Sequence, residues 1–387
     1  MLSPAMTYLF ETEEHAALRA TARRFAQTHI APASAQWEED EEFPIELYRT
    51  AAAAGMLGVG YPEDCGGQGG DLGHVLVVCE ELILAGRSVG TVVGLCTHGI
   101  ALPPIVRFGT AEQKQRFVVP CLRDGKISAL GITEPGGGSD VAALTTRAVR
   151  DGDHYVVTGA KTFITSGTRA DLVTVAVRTG GAGHAGVSLL VIESTTPGFS
   201  VGRKLRKTGW WASDTAELHF DGCRVPVANR IGPENGAFPM IMMNFASERL
   251  MLAGQCVAIA QLAYREAIAY ARERQAFGKP LTGFQVTRHK LADMAARIAA
   301  ARALTGEAAT RALRGEHATV AGLAAMAKNV ATDMCSFVCD QAVQIHGGTG
   351  YMRETLVERL YRDARLYPIG GGTREIMNEV ISKVEGY

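Results

Sequence analysis

The hydrophobic period of this chain changes twice, and those two changes constrain its fold more than any single residue does. Over residues 11–124 apolar positions return every three or four residues. Leu18, Ala22, Phe25 and Ala26 form one stripe, and others cover 45–56, 72–85, 92–106 and 111–122, the spacing of amphipathic helices. Pro44, the glycine cluster at 66–73, Gly109-Thr110 and Gly125 punctuate them. Over 126–233 the period falls to two. Apolar and polar residues alternate in Ala216-Glu217-Leu218-His219-Phe220-Asp221, and Val173, Val175 and Val177 alternate with their neighbours. With the apolar run 187–192 and a glycine-rich hairpin loop at 180–186, this predicts short strands in a compact sheet or barrel. From Gly236 the helical period returns in longer pieces. The clearest is 318–345, where Val320, Leu323, Ala327, Val330, Met334, Val338, Ala342 and Ile345 step by three or four. A narrow, Ala-rich stripe suits close packing in a helical bundle and can also bury a subunit interface.

The expected class is therefore α+β, mainly α: an N-terminal helical domain over 1–125, a central β-domain over 126–235 and a C-terminal helical domain over 236–387. A chain of 387 residues has room for several packed regions. Its formal charge of −1 argues against a general polyanion binder, so no nucleic-acid partner is expected. The first 20 residues lack a basic segment followed by an apolar one, and no run approaches the ~20 apolar residues of a membrane span. The eight cysteines include no CxxC pair and no His at zinc-ligand spacing. Buried, reduced thiols, a cytoplasmic compartment and no metal are expected.

Two glycine-rich stretches stand out. Gly131-Ile132-Thr133-Glu134-Pro135-Gly136-Gly137-Gly138-Ser139-Asp140 lies where helices give way to strands. It is either a loop offering amides and the hydroxyls of Thr133 and Ser139 to a phosphate, or a tight turn at a domain boundary. It is neither a Walker loop nor a dinucleotide fingerprint. Near the C-terminus Gly370, Gly371 and Gly372 precede Thr373, a candidate cap for a helix carrying Ile376, Met377 and Val380 on one side.

GITEPGGGSD, KTFITSG at 161–167, ERQAFGKPLTGFQ at 273–285, QIHGGTGY at 344–351 and YRDARLYPIGGGT at 361–373, with FPIELYRTAAAAGMLG at 43–58, resemble the successive signatures of the acyl-CoA dehydrogenase family, in its order and at its spacings. The resemblance covers nearly the whole chain. It implies that family's architecture, with a β-barrel-like middle domain and a C-terminal four-helix bundle, and it implies bound FAD. By that resemblance Ile132, Thr133 and Ser139 would hold the isoalloxazine edge and pyrophosphate, and Phe163 and Thr165, on one face of a strand, would cover the flavin. Phe163 stands where the family usually has Trp. Arg274, Phe277, Gln285, Gln344 and Gly348 would reach the FAD of a neighbouring subunit, which requires a homo-oligomer, by analogy a tetramer. Thr373 and Glu375 would face FAD.

Many members carry the catalytic base as a Glu directly before the final Gly-Thr of the last motif, where this chain has Gly371. A smaller set, the isovaleryl- and long-chain-type enzymes, carries it on a helix before an Arg, and this chain has Glu248-Arg249 there. Without the resemblance that pair is an ordinary charged pair on a helix. With it, Glu248 is expected to take the α-proton of an acyl-CoA, with its pKa raised by an apolar pocket. The Gly371 amide would polarise the thioester carbonyl, giving the trans-2-enoyl thioester, with an electron-transfer flavoprotein as electron acceptor. Ser139, Arg249, Gly370 and Gly371 would border the substrate. Arg249 has two open readings, a contact to the phosphopantetheine arm or a salt bridge within the bundle. Gly370 and Gly371 together suggest an open pocket wall suited to branched or bulky acyl groups, with long straight chains as the other option. The alternative activity is oxidation of an acyl or aminoacyl group held on a carrier protein.

Overall fold

The computed structural model describes residues 7–387; part of the expectation about the N-terminal segment falls on residues 1–6, outside the described residues. The helix Glu13–His29 buries Ala22, Phe25 and Ala26 against Leu72–Gly86. Asp71 caps the latter, its carboxylate accepting from the Gly73 and His74 amides. A buried charge cluster ties these helices to the C-terminal region. Arg19 binds Glu11, Glu80 and Glu81, and Glu80 also pairs with Arg302.

The stripe at 92–106 is not one helix. It is three short pieces, Val89–Leu95, His98–Ala101 and Pro103–Phe108. Pro103 and Pro104 supply no amide to continue a helix, and the Thr97 hydroxyl takes the Val93 and Gly94 carbonyls. The stripe at 111–122 is likewise split, by a widened turn over Lys114–Val118 ahead of Pro120.

The middle region is one eight-stranded sheet. Its strands are β1 (Ser128–Gly131), β2 (Arg147–Asp151), β3 (His154–Thr165), β4 (Leu172–Arg178), β5 (Val187–Glu193), β6 (Phe199–Lys204), β7 (Thr215–Pro226) and β8 (Arg230–Ile231). They follow the order β6-β7-β3-β2-β4-β5-β8, with β1 parallel to β4. The Gly-rich loop at 180–186 joins the antiparallel pair β4 and β5. Strand β7 alternates as its sequence predicts, with Leu218 and Phe220 buried and His219 and Asp221 exposed. Strand β4 differs. Val173, Val175 and Val177 enter the sheet's own core while Leu172 and Ala176 enter the helical core, so both faces are covered. The helices therefore lie directly against this sheet.

The C-terminal region consists of Ala237–Glu273, Gln285–Leu313, His317–His346, Leu356–Ala364 and Arg374–Glu385. The first is 37 residues long, about 55 Å of helix, and runs against the N-terminal helices as well as its bundle partners. On His317–His346 the expected stripe is buried at Val320, Ala327, Met334, Val338, Ala342 and Ile345, whereas Val330 is 41% exposed. All eight cysteines are unpaired, and seven are buried. No single helix among the described residues is long and apolar enough to cross a membrane.

Candidate active site

Glu248 and Gly371 meet. A Cβ built on Gly371 would lie 3.4 Å from Glu248 Oε1 and would collide with Leu252 Cδ1, one turn further along the same helix. Gly371 and Gly372 have φ of +65° and +96°, a left-handed path that disfavours side chains. The Gly371 amide has no partner among the described residues. Its carbonyl accepts from Arg249 Nε at 3.5 Å, and the Gly372 carbonyl accepts from Lys328 Nζ. Glu248 Oε2 is shut away from solvent without a hydrogen-bond partner. Burial pushes the carboxyl up to about 7 against the opposing pull of Arg249 and Lys328.

The wall beside the glycines is not uniformly open. Gly370 has only Leu366 near its Cβ position, at 3.8 Å and beyond, but Leu252 fills the space at Gly371. Arg249 is buried and forms no salt bridge with a carboxylate among the described residues; its nearest polar partner is the Gly371 carbonyl. Thr373 caps Arg374–Glu385, its hydroxyl accepting from the Ile376 amide at 3.3 Å, and Glu375 is exposed in the first turn.

A short helical segment links this site to the sheet. Ser166, just after β3, contacts Thr97 Oγ1 at 3.0 Å and Tyr48 OH at 3.3 Å. On the other side Asn244 Nδ2, one turn before Glu248, donates to the Ile100 carbonyl at 2.9 Å. Residues 94–101 are thus held between the end of β3 and the Glu248 helix.

Phe163 and Thr165 do not share a face by simple alternation. A register shift between Lys161 and Ile164 against β7 marks a bulge, and Phe163 takes φ +60°. The bulge turns its ring outward, 68% exposed, while Thr165 is half-buried. A large apolar residue held out in a left-handed conformation is costly in isolation.

The loop after β1 is anchored from below and open above. Glu134 accepts from Lys161 Nζ at 2.8 Å, from the Thr145 amide and hydroxyl, and from the Thr146 amide. Burial works to raise its pKa, but the Lys161 charge and these donors hold it down at about 2. Lys161 Nζ also donates to the Ile132 carbonyl, and the Thr162 amide donates to the Thr133 carbonyl. Above this anchor Ser139 is exposed, and nothing lies within 4 Å of a Cβ at Gly136 or Gly137. Neither glycine has positive φ, so neither backbone conformation nor internal packing calls for glycine there.

The remaining predicted residues gather at the far end of the bundle. Tyr270, whose carbonyl accepts from the Arg274 amide, stacks on His346 with centroids 4.3 Å apart, which brings 274–285 beside 344–348. Arg274, Phe277, Gln285, Gln344 and Gly348 are all exposed, Phe277 by 95%. Gln344 and Lys328 are 16 residues apart on one helix, roughly 24 Å. Within one chain this set therefore stands apart from Glu248.

Sequence reasoning missed Lys328, Leu252 and the Glu134–Lys161 pair. Lys328 carried a signal, a single charge on an Ala-rich stripe between Ala324 and Ala331. Glu134 and Lys161 lie inside the two quoted motifs, but their pairing is a tertiary fact. An apolar cavity of about 280 Å³ also lies along the helix stripe adjoining Glu248, with Met240, Met243, Ser247 and Met251 on one side and His98 and Pro104 on the other.

Family models for the N-terminal, middle and C-terminal domains of acyl-CoA dehydrogenase match residues 12–124, 129–223 and 235–385. The isobutyryl-CoA dehydrogenase of Bos taurus mitochondria is 39% identical over 96% of this chain and 89% of its own. A probable acyl-CoA dehydrogenase from Mycobacterium abscessus is 53% identical with a TM-score of 0.95, covering 97% of this chain and 99% of that one. A glutaryl-CoA dehydrogenase from Mycobacterium smegmatis, solved with FADH2, has a TM-score of 0.90 at 25% identity, over 97% and 95% of the two chains. The chain belongs to the acyl-CoA dehydrogenase family.

Proposed function

We propose that this protein is an FAD-dependent acyl-CoA dehydrogenase in which Glu248 removes the α-proton of the acyl thioester. The observation that carries the reading is the meeting of Glu248 with Gly371, where a carboxylate from a helix faces the turn from which many relatives project their base. With its pKa near 7, Glu248 is ionised to a useful degree at neutral pH and holds a proton more strongly than an ordinary carboxylate, which suits a general base.

The residues present fit FAD. Gly136, Gly137 and Ser139 offer an open cradle on an anchored loop, with Ile132 and Thr133 at its base. The outward ring of Phe163, with Thr165, suits an aromatic face. Thr373 and Glu375 stand at the helix start beside the glycine turn. When bound, FAD supplies the hydride acceptor for the β-carbon. The chain's own part is the proton and the carbonyl. Glu248 takes the α-proton, and the unpartnered Gly371 amide donates to the thioester oxygen as negative charge develops there. Leu252 and the half-buried setting keep water from the carboxylate. Arg249 acts on the turn through the Gly371 carbonyl.

The exposed set Arg274, Phe277, Gln285, Gln344 and Gly348 would complete the FAD site of a second copy, giving a homo-oligomer, a tetramer by the family likeness. Arg274 makes no ion pair among the described residues and is available to a phosphate. The acyl chain would run toward the cavity beside Ser247 and Met251, whose methionines can repack around straight or branched tails. The room at Gly370 favours a substituent near the reacting carbons. Electrons would leave to an electron-transfer flavoprotein, and the compartment we assign is the cytoplasm.

The test is anaerobic mixing of wild type and Glu248→Gln with a panel of straight, branched and aromatic acyl-CoAs and carrier-protein thioesters. The variant should retain yellow flavin and be bleached at least a hundredfold more slowly. Full-speed bleaching of Glu248→Gln would remove the assignment. Bleaching of wild type by carrier thioesters alone would replace CoA as the acyl carrier.

A further inference from the structure

Lys328 lies on His317–His346 and is 1% exposed. It forms no salt bridge among the described residues. A buried ammonium without a carboxylate partner is less favourable than a Met filling the same space, so core packing does not account for it. Its Nζ donates to the Gly372 carbonyl, while Arg249, from the facing helix, reaches the preceding carbonyl of Gly371. Two cations from two helices therefore hold consecutive carbonyls of one left-handed turn. The Gly371 amide is unpartnered among the described residues, and the Gly371 Cβ position lies 3.4 Å from Glu248 Oε1.

We propose that Lys328 is a positioning residue: it fixes the Gly371–Gly372 turn against Glu248 and favours the ionised form of that carboxyl. The inference rests on the reading of Glu248 as the base. The titratable and charged groups around the pair are few. Arg249 neighbours Glu248 on its own helix, and Lys328 faces it from His317–His346. Lys328 is in turn influenced by Cys256, Arg249 and Glu248. Burial draws the Lys328 ammonium down to about 8, which leaves it largely charged at neutral pH and lost as pH rises further. With Lys328 charged, the Glu248 carboxylate sits near two cations and no second anion.

The experiment compares Lys328→Met and Lys328→Arg with wild type as FAD-loaded enzymes. It follows kcat/KM against pH, the unfolding midpoint, and the pH titration of the Glu248 carboxyl by infrared difference spectroscopy, with Glu248→Gln as the blank. For Lys328→Met the acid limb of kcat/KM and the infrared titration should both move about one pH unit higher. That corresponds to about tenfold lost activity below neutrality, largely recovered at high pH, with an unfolding midpoint unchanged or raised. Lys328→Arg should keep the limb within a few tenths of a unit. A Lys328→Met enzyme with wild-type titration overturns the proposal, and so does one whose only change is a lower midpoint. If Lys328→Met does not fold, Lys328→Gln carries the same comparison. Full-speed bleaching in Glu248→Gln removes the base assignment itself, whereas a dead Glu248→Gln beside an unshifted Lys328→Met removes only the role of Lys328.

Discussion

Replacing Glu248 with Gln should stabilise the protein at alkaline pH while it abolishes proton abstraction. Burial raises the carboxyl from an ordinary 4.5 to about 7, which corresponds to about 3 kcal/mol disfavouring the ionised form in the fold. Because the folded pKa lies above the unfolded one, the folded state holds a proton that the unfolded chain has released between those values. The contribution to stability is complete below pH 4.5, falls as pH rises through about 7, and stays low above it. Gln keeps the shape of the protonated acid and cannot ionise. The variant should therefore match wild type near pH 4.5 and exceed it by up to about 3 kcal/mol at pH 8.5. At ~2.1 cal/mol/K of unfolding entropy per residue, that gain amounts to only a few degrees in Tm, so denaturant midpoints at pH 5 and pH 8.5 are the better assay. In the same preparations wild-type kcat/KM should rise about tenfold per pH unit and level off near 7, and the variant should be low and flat. An equal stability difference at both pH values, or a wild-type limb in the ordinary carboxylate range, would refute the claim that Glu248 is a desolvated base.

Three further comparisons probe the supports of the site. Glu134→Gln should cost about 3–5 kcal/mol because it leaves Lys161 buried without its counter-charge, and it should release FAD more readily by freeing the loop at 132–139; urea midpoints and flavin retention on dilution read the two effects. Phe163→Gly should relieve the φ of +60° and raise apoprotein stability by about 1 kcal/mol while loosening flavin, whereas a destabilised apoprotein would mean that the ring is part of the fold. The double variant Glu248→Gln/Gly371→Glu should not regain activity, since the new side chain meets Leu252 on a left-handed backbone. Adding Leu252→Ala should restore measurable bleaching, and recovery without it would contradict the crowding seen at Gly371.

The period changes at about residues 126 and 236 were enough to place helices, sheet and helices in order, because local periodicity reports which face of an element is buried. Interruptions were harder to see. Thr97 and the Pro103-Pro104 pair break an apolar stripe that reads as continuous, and the bulge at Phe163 reverses a face that alternation assigns. The first is fixed by prolines without amides and a threonine hydroxyl that takes helix carbonyls, the second by the register of β3 against the distant β7. In the site, Glu248 and Gly371 were legible as motif positions, but their contact spans 123 residues of chain and appears only once the turn packs on the helix. Leu252 was silent for the same reason, and the signal at Lys328 was easily passed over. One looks like any apolar helix position, and the other like a solvated lysine until the stripe around it is seen to be buried.

The geometry at Gly371 gives the proposed placement of the base on the helix a steric reason. A side chain at 371 and the Glu248 carboxyl would compete for one volume, and Leu252 has taken what remains. The turn is then free to adopt positive φ at two consecutive residues, which bulky side chains would oppose. That conformation hands both carbonyls to Arg249 and Lys328, and the Gly371 amide has no partner among the described residues. Glu248, the proposed base, sits on a 37-residue helix packed from both sides, so its position is set by the core of the molecule. The turn at 371–372 would contribute only backbone and is held by charges from that same core. The proposed base and carbonyl donor are thereby referenced to one rigid element, as a proton abstraction that depends on sub-ångström alignment requires.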